Sequence, residues 1–218
     1  MNNNHEVQEA VQRIRDLIGR QSPRPVDATP LRTAFENSLV RVDETHVRST
    51  VSGAATREPR ISPSDPDQCF GIVVPVLSDG RLLLVVRYRY APAKWSVEFP
   101  RVVGRTAEDG WKEIVELRLL EEVGAVCSDV RLLGAINGEP VFATTNALVF
   151  AGANCELRHA PAGNDALLAG SVAVSPTCLD QLICQGTIEC ALTLAALTMY
   201  RARRYTPSSA NAARLGPH

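Results

Sequence analysis

Apolar residues recur along this chain in two rhythms. Near the start, Val7, Val11, Ile14 and Ile18 are spaced three or four apart, which predicts a helix over residues 5–19 with Gly19 as its stop. QSPRPVDATP then reads as a linker, because its prolines and polar residues favour extended chain. SLVRVDETHVRSTV predicts one or two short strands around a turn at Asp43 and Glu44, and SPSDPDQ a loop. The clearest strand signal follows. GIVVPVL (71–77) and RLLLVVRYRY (81–90) flank Ser78-Asp79-Gly80, and Asp-Gly supplies the positive φ of a tight hairpin. Pro75 implies an edge position or a bulge. WSVEFP (95–100) is a short third strand, and RLLGAIN, ALVFAGA and SVAVS are further candidates.

The helical rhythm returns over 110–123, with Thr106-Ala-Glu-Asp109 as a capping-box-like start and Gly124 as the stop. Two more helices are expected between Thr177 and Arg204, divided at Gly186, and the last residues, 205–218, read as a frayed tail. Strands and helices in this order predict a mixed α/β sandwich. The expected organisation is an N-terminal helix and linker over 1–36, one domain over 37–204, and the tail.

On the 110–123 helix, Arg118 projects between Glu121 and Glu122. Lys112, Glu113 and Glu116 lie on another, solvated face, and apolar residues between the two stripes predict burial on two sides. Carboxylates packed on a buried helix need partners. They suit Mg2+, which takes a few carboxylates together with substrate phosphates. Alternatively, Arg118 stands three residues before Glu121 and four before Glu122, so its guanidinium could pair with both in place of a metal. A surface ion-pair helix is the third reading.

Composition narrows the setting. The 218 residues are 45% hydrophobic and 22% charged, with a formal charge of -1, which leaves no electrostatic footprint for nucleic acid or an anionic membrane. No apolar run has the length of a membrane span, and MNNNHEVQEA lacks the core of a signal peptide, so the expected location is cytoplasmic. The six cysteines form no CxxC pair and are expected as buried, reduced thiols. Two of the four histidines lie near the termini, which argues against a histidine triad or a zinc site.

Three stretches carry a family resemblance. DGRLLLVVRYRYA resembles a hairpin ending in an Arg-Tyr-Arg run, WSVEFPR a Glu-Leu-Pro strand, and GTIECALTLAALTMYRAR a terminal helix with the pattern Gly-x-Ile-x-Asp-Gly-x-Thr-Leu-Ala-Ala-Leu. Together, from about Asn37 to Arg204, they resemble a Nudix hydrolase of the ADP-ribose or ADP-sugar pyrophosphatase type. The resemblance implies the Nudix fold, a mixed sheet sandwiched between helices (α/β/α), with an N-terminal helix and strand extension. The signature itself, GX5EX7REUXEEXGU with U aliphatic, is degenerate. Glu121, Glu122 and Gly124 match its end, Leu119 fills the aliphatic position, and Leu117 and Arg118 replace its Arg-Glu pair. Counted from EFP, Val102 replaces the opening glycine, Glu108 matches the first glutamate, and Gly104 partly substitutes for the missing glycine.

The resemblance implies hydrolysis of a nucleoside diphosphate-linked small molecule such as ADP-ribose or a nucleotide-sugar, with Mg2+ or Mn2+ on Glu121 and Glu122. Arg87 and Arg89, on one face of their strand, would hold the diphosphate. The loop before the last helices offers Glu156 and Asp165, and Asp165 is the better-placed candidate for the loop acid. Glu139 could reach the metal region, and Glu98 anchors the loop or touches substrate. The degenerate box makes the expected turnover weak. A catalytically silent nucleotide-binding, regulatory or scaffold domain stands beside that reading, as does an enzyme in which Arg118 replaces the cation. Relatives of this type imply a homodimer paired through N-terminal strands.

Overall fold

The computed structural model describes residues 3–19, 26–105, 110–140, 143–158 and 166–204. The chain divides into two compact units, Met1–Ser64 and Asp65–His218, so the strands expected at the start of the main domain belong to the first unit.

The first unit holds α1 (Asn3–Gly19) and a three-stranded antiparallel sheet of β1 (Val26–Glu36), β2 (Val40–Ser49) and β3 (Ala55–Pro63), in that order. Two expectations change here. Part of the predicted linker is strand β1, and it tolerates Pro30 because β1 is an edge strand whose register shifts between Pro30 and Arg32. The turn predicted at Asp43 and Glu44 is absent, and β2 runs straight through them. Cross-strand partners satisfy both carboxylates. Thr33 Oγ1 donates to Asp43 at 2.9 Å, and Arg32 Nε donates to Glu44 at 2.7 Å. The Thr33 hydroxyl, with Arg41 and Arg60, holds the Asp43 carboxyl below the usual carboxylate range, against an opposing push from burial. The reversal falls after β2 instead, where Gly53 takes φ 71°.

The second unit is built on an eight-stranded mixed sheet. Its main path is β11 (Leu168–Val174), β5 (Leu82–Arg89), β4 (Gln68–Leu77), β10 (Asn146–Leu157) and β8 (Ala125–Val126). β6 (Lys94–Glu98) pairs with β5, β7 (Arg101–Arg105) with β4, and β9 (Asp129–Asn137) with β10. β4 and β10 run parallel and the other pairs antiparallel. Pro75 sits inside this sheet rather than at its edge, beside the expected irregularity: it partners Gly152 of β10, and the register shifts between Gly152 and Cys155. It lies between the part of β4 that pairs with β7, ending at Ile72, and Val76, which pairs with Leu82 of β5, so its missing N–H interrupts no ladder on that side.

Strand alternation sends the apolar residues to two cores. On one side Ile72, Val74, Leu82, Leu84 and Val149 pack with Leu179 of α3 (Pro176–Cys184) and Ala196 and Leu197 of α4 (Ala191–Arg204). On the other, Val73, Leu83, Val85 and Phe150 pack with Val115, Leu119 and Val123 of α2 (Trp111–Val123). The result is the expected α/β/α sandwich. Helix α2 buries one stripe, not two, because Leu117 is exposed. Its N-cap is Gly110 with no side-chain cap, the capping-box residues 106–109 lie outside the described residues, and Gly124 closes the helix in the left-handed region at φ 66°.

The cysteines depart from expectation as well. Cys127 and Cys155, both buried, form a disulfide between the segment linking β8 to β9 and the end of β10, while Cys69, Cys178, Cys184 and Cys190 are free. Sequence spacing does not register this pair because the sheet, not a local motif, brings the two sulfurs together. No described helix is long and apolar enough to cross a membrane.

Candidate functional site

The site grows from the end of β5. Arg87 and Arg89 follow Leu83 and Val85 at two-residue intervals, on the side of the sheet that α2 covers. Arg87 Nη2 donates to Glu122 Oε1 at 3.0 Å. Arg89 turns to Glu98 on the neighbouring strand β6 and forms an ion pair with its Oε1. The other oxygen of Glu98 accepts from Arg101 Nη2 at 3.2 Å. Glu98 is only 1% exposed, so one buried carboxylate fixes two guanidiniums. Arg101 also donates to the Sγ of Cys190, at 3.3 Å, just ahead of α4. The loop between β6 and β7 is pinned from the other side, where Phe99 N donates to the buried Thr193 hydroxyl at 3.1 Å.

Arg87, Arg89, Arg101 and Glu122 line a cavity of about 580 Å3. Arg87, Arg89 and Arg101 supply its positive charge, Glu122 and Glu139 its carboxylates, and Phe70, Val102, Val103 and Leu192 an apolar wall. Gly71 also lines it, and a Cβ there would stand 2.6 Å from Val102 Cγ2. A second cavity of about 520 Å3 adjoins, bounded by Tyr90, Lys94, Glu98 and Glu189, and it shares Arg89, Arg101, Ala191 and Leu192 with the first. Lys94 and Glu189 form an ion pair on its rim.

The structure thus gathers Arg87, Arg89, Glu122 and Glu139 at one cavity and sets Glu98 behind two of its arginines. It separates the remaining candidates. Arg118 does not bridge Glu121 and Glu122. Its Nη1 donates to Glu121 Oε2 at 3.0 Å, both side chains are nearly half exposed, and neither lines either of these two cavities. The partner of Glu122 is Arg87, which approaches from a strand the helix spacing does not reveal. Glu156 is exposed and pairs with Arg158 at 3.2 Å. Asp165 and Glu108 lie outside the described residues. Arg101 was not among the sequence candidates. The signal available was its place directly after the Glu-Phe-Pro turn.

Burial pushes the Glu122 carboxyl above the usual glutamate range, with Arg87, Arg118 and Arg89 pulling it back and Glu98 adding to the rise. Glu122 Oε2 is shielded from solvent and has no hydrogen-bond partner, as are the Nε–H groups of Arg89 and Arg101. The described residues do not fit a protein-held divalent cation. No three His, Cys, Asp or Glu side chains converge among them, Glu121 is turned to Arg118, and three guanidiniums face the cavity instead. What the arrangement can do is hold a compact anion through several N–H groups, with apolar surface beside it for a ring.

No family model matches the sequence, and no curated protein matches it. Among solved structures, the chain is similar to the crystal structure of an ADP compounds hydrolase, with a TM-score of 0.70 and 16% identity over 84% of this chain and 96% of that one. At that identity the likeness shows the shared fold.

Proposed function

We propose that the chain is a Nudix-type hydrolase of nucleoside diphosphate-linked compounds, of the ADP-ribose or nucleotide-sugar kind, with slow turnover. The observation that carries this is the cluster of Arg87, Arg89 and Arg101 on the wall of a cavity that is otherwise largely apolar. Guanidiniums match phosphate oxygens bidentately, and the apolar wall suits a base or another ring. The similar structure is that of an ADP compounds hydrolase, which agrees with such a ligand.

For cleavage, the arginines offset charge that builds on the leaving phosphate as water oxygen bonds to phosphorus and the bridging P–O bond breaks. Glu122 is the residue to take the proton from water, since it lines the cavity, one of its oxygens has no partner, and its carboxyl titrates above the usual range. Turnover is slow because Leu117 and Arg118 stand where the signature has Arg-Glu, and Glu121 is engaged outside the cavity. That same observation favours a second reading, in which the chain binds the compound and does not cleave it. Product analysis by phosphorus NMR on a panel of ADP-sugars separates the two.

Glu122→Gln is expected to reduce any turnover by about 100-fold or more while leaving binding in place. Because folding raises this carboxyl's pKa, the stability its protonated form contributes is full below the ordinary glutamate range and is lost as pH rises through the raised value. Urea midpoints of Glu122→Gln should therefore fall less than wild type as pH rises above the ordinary glutamate range, about 4. Parallel pH profiles for the two proteins, with undiminished turnover in the variant, would remove Glu122 from the proposed role.

A homodimer belongs to this proposal. Every residue of β1 is exposed, including Val26, Leu31 and Phe35, and β1 is one of the two edge strands of its sheet. Exposed apolar edge strands invite pairing. Light scattering at tens of micromolar is expected to give twice the chain mass of 23.6 kDa, and a monomeric mass would refute the dimer.

A further inference from the structure

We infer that the cavity binds the diphosphate of its ligand without a divalent cation, with Arg89 and Arg101 supplying the positive charge on a platform fixed by Glu98. The inference rests on the diphosphate reading above and goes beyond it, because it assigns to guanidiniums the charge that a metal would otherwise bring.

Glu98 is buried and spends its two oxygens on two different arginines, Oε1 on Arg89 and Oε2 on Arg101. One carboxylate shared between two guanidiniums leaves positive charge in excess at the junction of the two cavities, which both residues line. The Nε–H of each is shielded from solvent and unpartnered, and the remaining partner of Arg101 is a thiol sulfur, a weak acceptor. Both side chains nonetheless stay about one-third exposed, at 32% and 37%, so the accessible parts of the two guanidiniums suit a ligand that carries several acceptor oxygens. A diphosphate at the junction meets this need, with the groups on its two ends directed into the two cavities. A cation placed there would be repelled by the same guanidiniums, while Glu98 has both oxygens on them and Glu122 has one oxygen on Arg87. Arg118, the residue whose sequence position suggested such a substitution, takes no part.

Calorimetric titration of ADP-ribose and of inorganic pyrophosphate into the full chain, in EDTA and in Mg2+, tests this directly. ADP-ribose is expected to bind with affinities that agree within about threefold in the two buffers, and pyrophosphate to bind in EDTA. Arg101→Ala should weaken binding in EDTA by about 10- to 100-fold, and Arg101→Lys should recover part of the loss by restoring the charge without the fork. Thermal melts of both variants establish that they fold, and the wild-type comparison stands without them. Binding that appears only with Mg2+ would overturn the inference and leave the diphosphate reading intact. Unchanged affinity in folded Arg101→Ala would also overturn it. No binding of any diphosphate compound in either buffer would remove the diphosphate reading and the inference with it.

Discussion

Glu98→Gln is expected to lower the unfolding free energy by about 3 kcal/mol, because removing the charge from a buried ion pair leaves its partners uncompensated. Here the partners are two guanidiniums. Arg89 and Arg101 are each about one-third exposed, at 32% and 37%, so solvent screens part of the effect, and the figure sits at the low end for a buried pair. The substitution keeps the shape of the side chain and can still accept one hydrogen bond, so the loss reports charge rather than packing. It should also weaken the proposed diphosphate binding, since the two guanidiniums lose the group that orients them. Urea unfolding at neutral pH checks the first effect. A midpoint indistinguishable from wild type would mean that Glu98 does not carry these arginines.

Reduction of Cys127–Cys155 is expected to have an effect of similar size. The bridge closes a loop with a sequence separation of 28, for which loop-closure entropy gives about 3–4 kcal/mol. Both sulfurs are buried, so the bond should resist mild reductant in the folded protein and break in denaturant. Thiol titration of the unfolded, unreduced chain should detect the four free cysteines, rising to six after reduction. Six reactive thiols before reduction would show that the bridge is absent, and equal urea midpoints with and without reductant would show that it contributes nothing.

The layers of the second unit were legible because its strands and helices bury whole faces. GIVVPVL and RLLLVV alternate between two cores, and Gly80 and Gly124 sit at reversals that need positive φ, where their side-chain-free backbones mark the turn. Arg87 and Arg89 could be placed on a common face by strand period alone. What the sequence did not show depends on a second element arriving from elsewhere. Helix spacing gave Glu122 its direction, yet its partner comes from β5 and not from Arg118. Asp43 reads locally as a turn residue, and becomes a mid-strand residue once β1 brings Thr33 to its side. Arg101 follows a proline and looks unremarkable until β7 pairs with β4 and presents it to Glu98.

The parallel register of β4 with β10, which sets Phe70 beside Ala147, has a consequence for the order in which this chain can fold. The strands at the middle of the sheet are far apart in sequence, and such pairings are slow because a large loop must close before they form. A ribosome emitting this chain releases the apolar β4 long before β10 exists to cover it. Until then β4 has only its local companions β5 and β7, and its other edge stays open to strands of neighbouring chains. Expression at lower temperature or with chaperones should therefore raise the soluble yield, an effect that belongs to the kinetics of assembly rather than to the stability of the finished molecule.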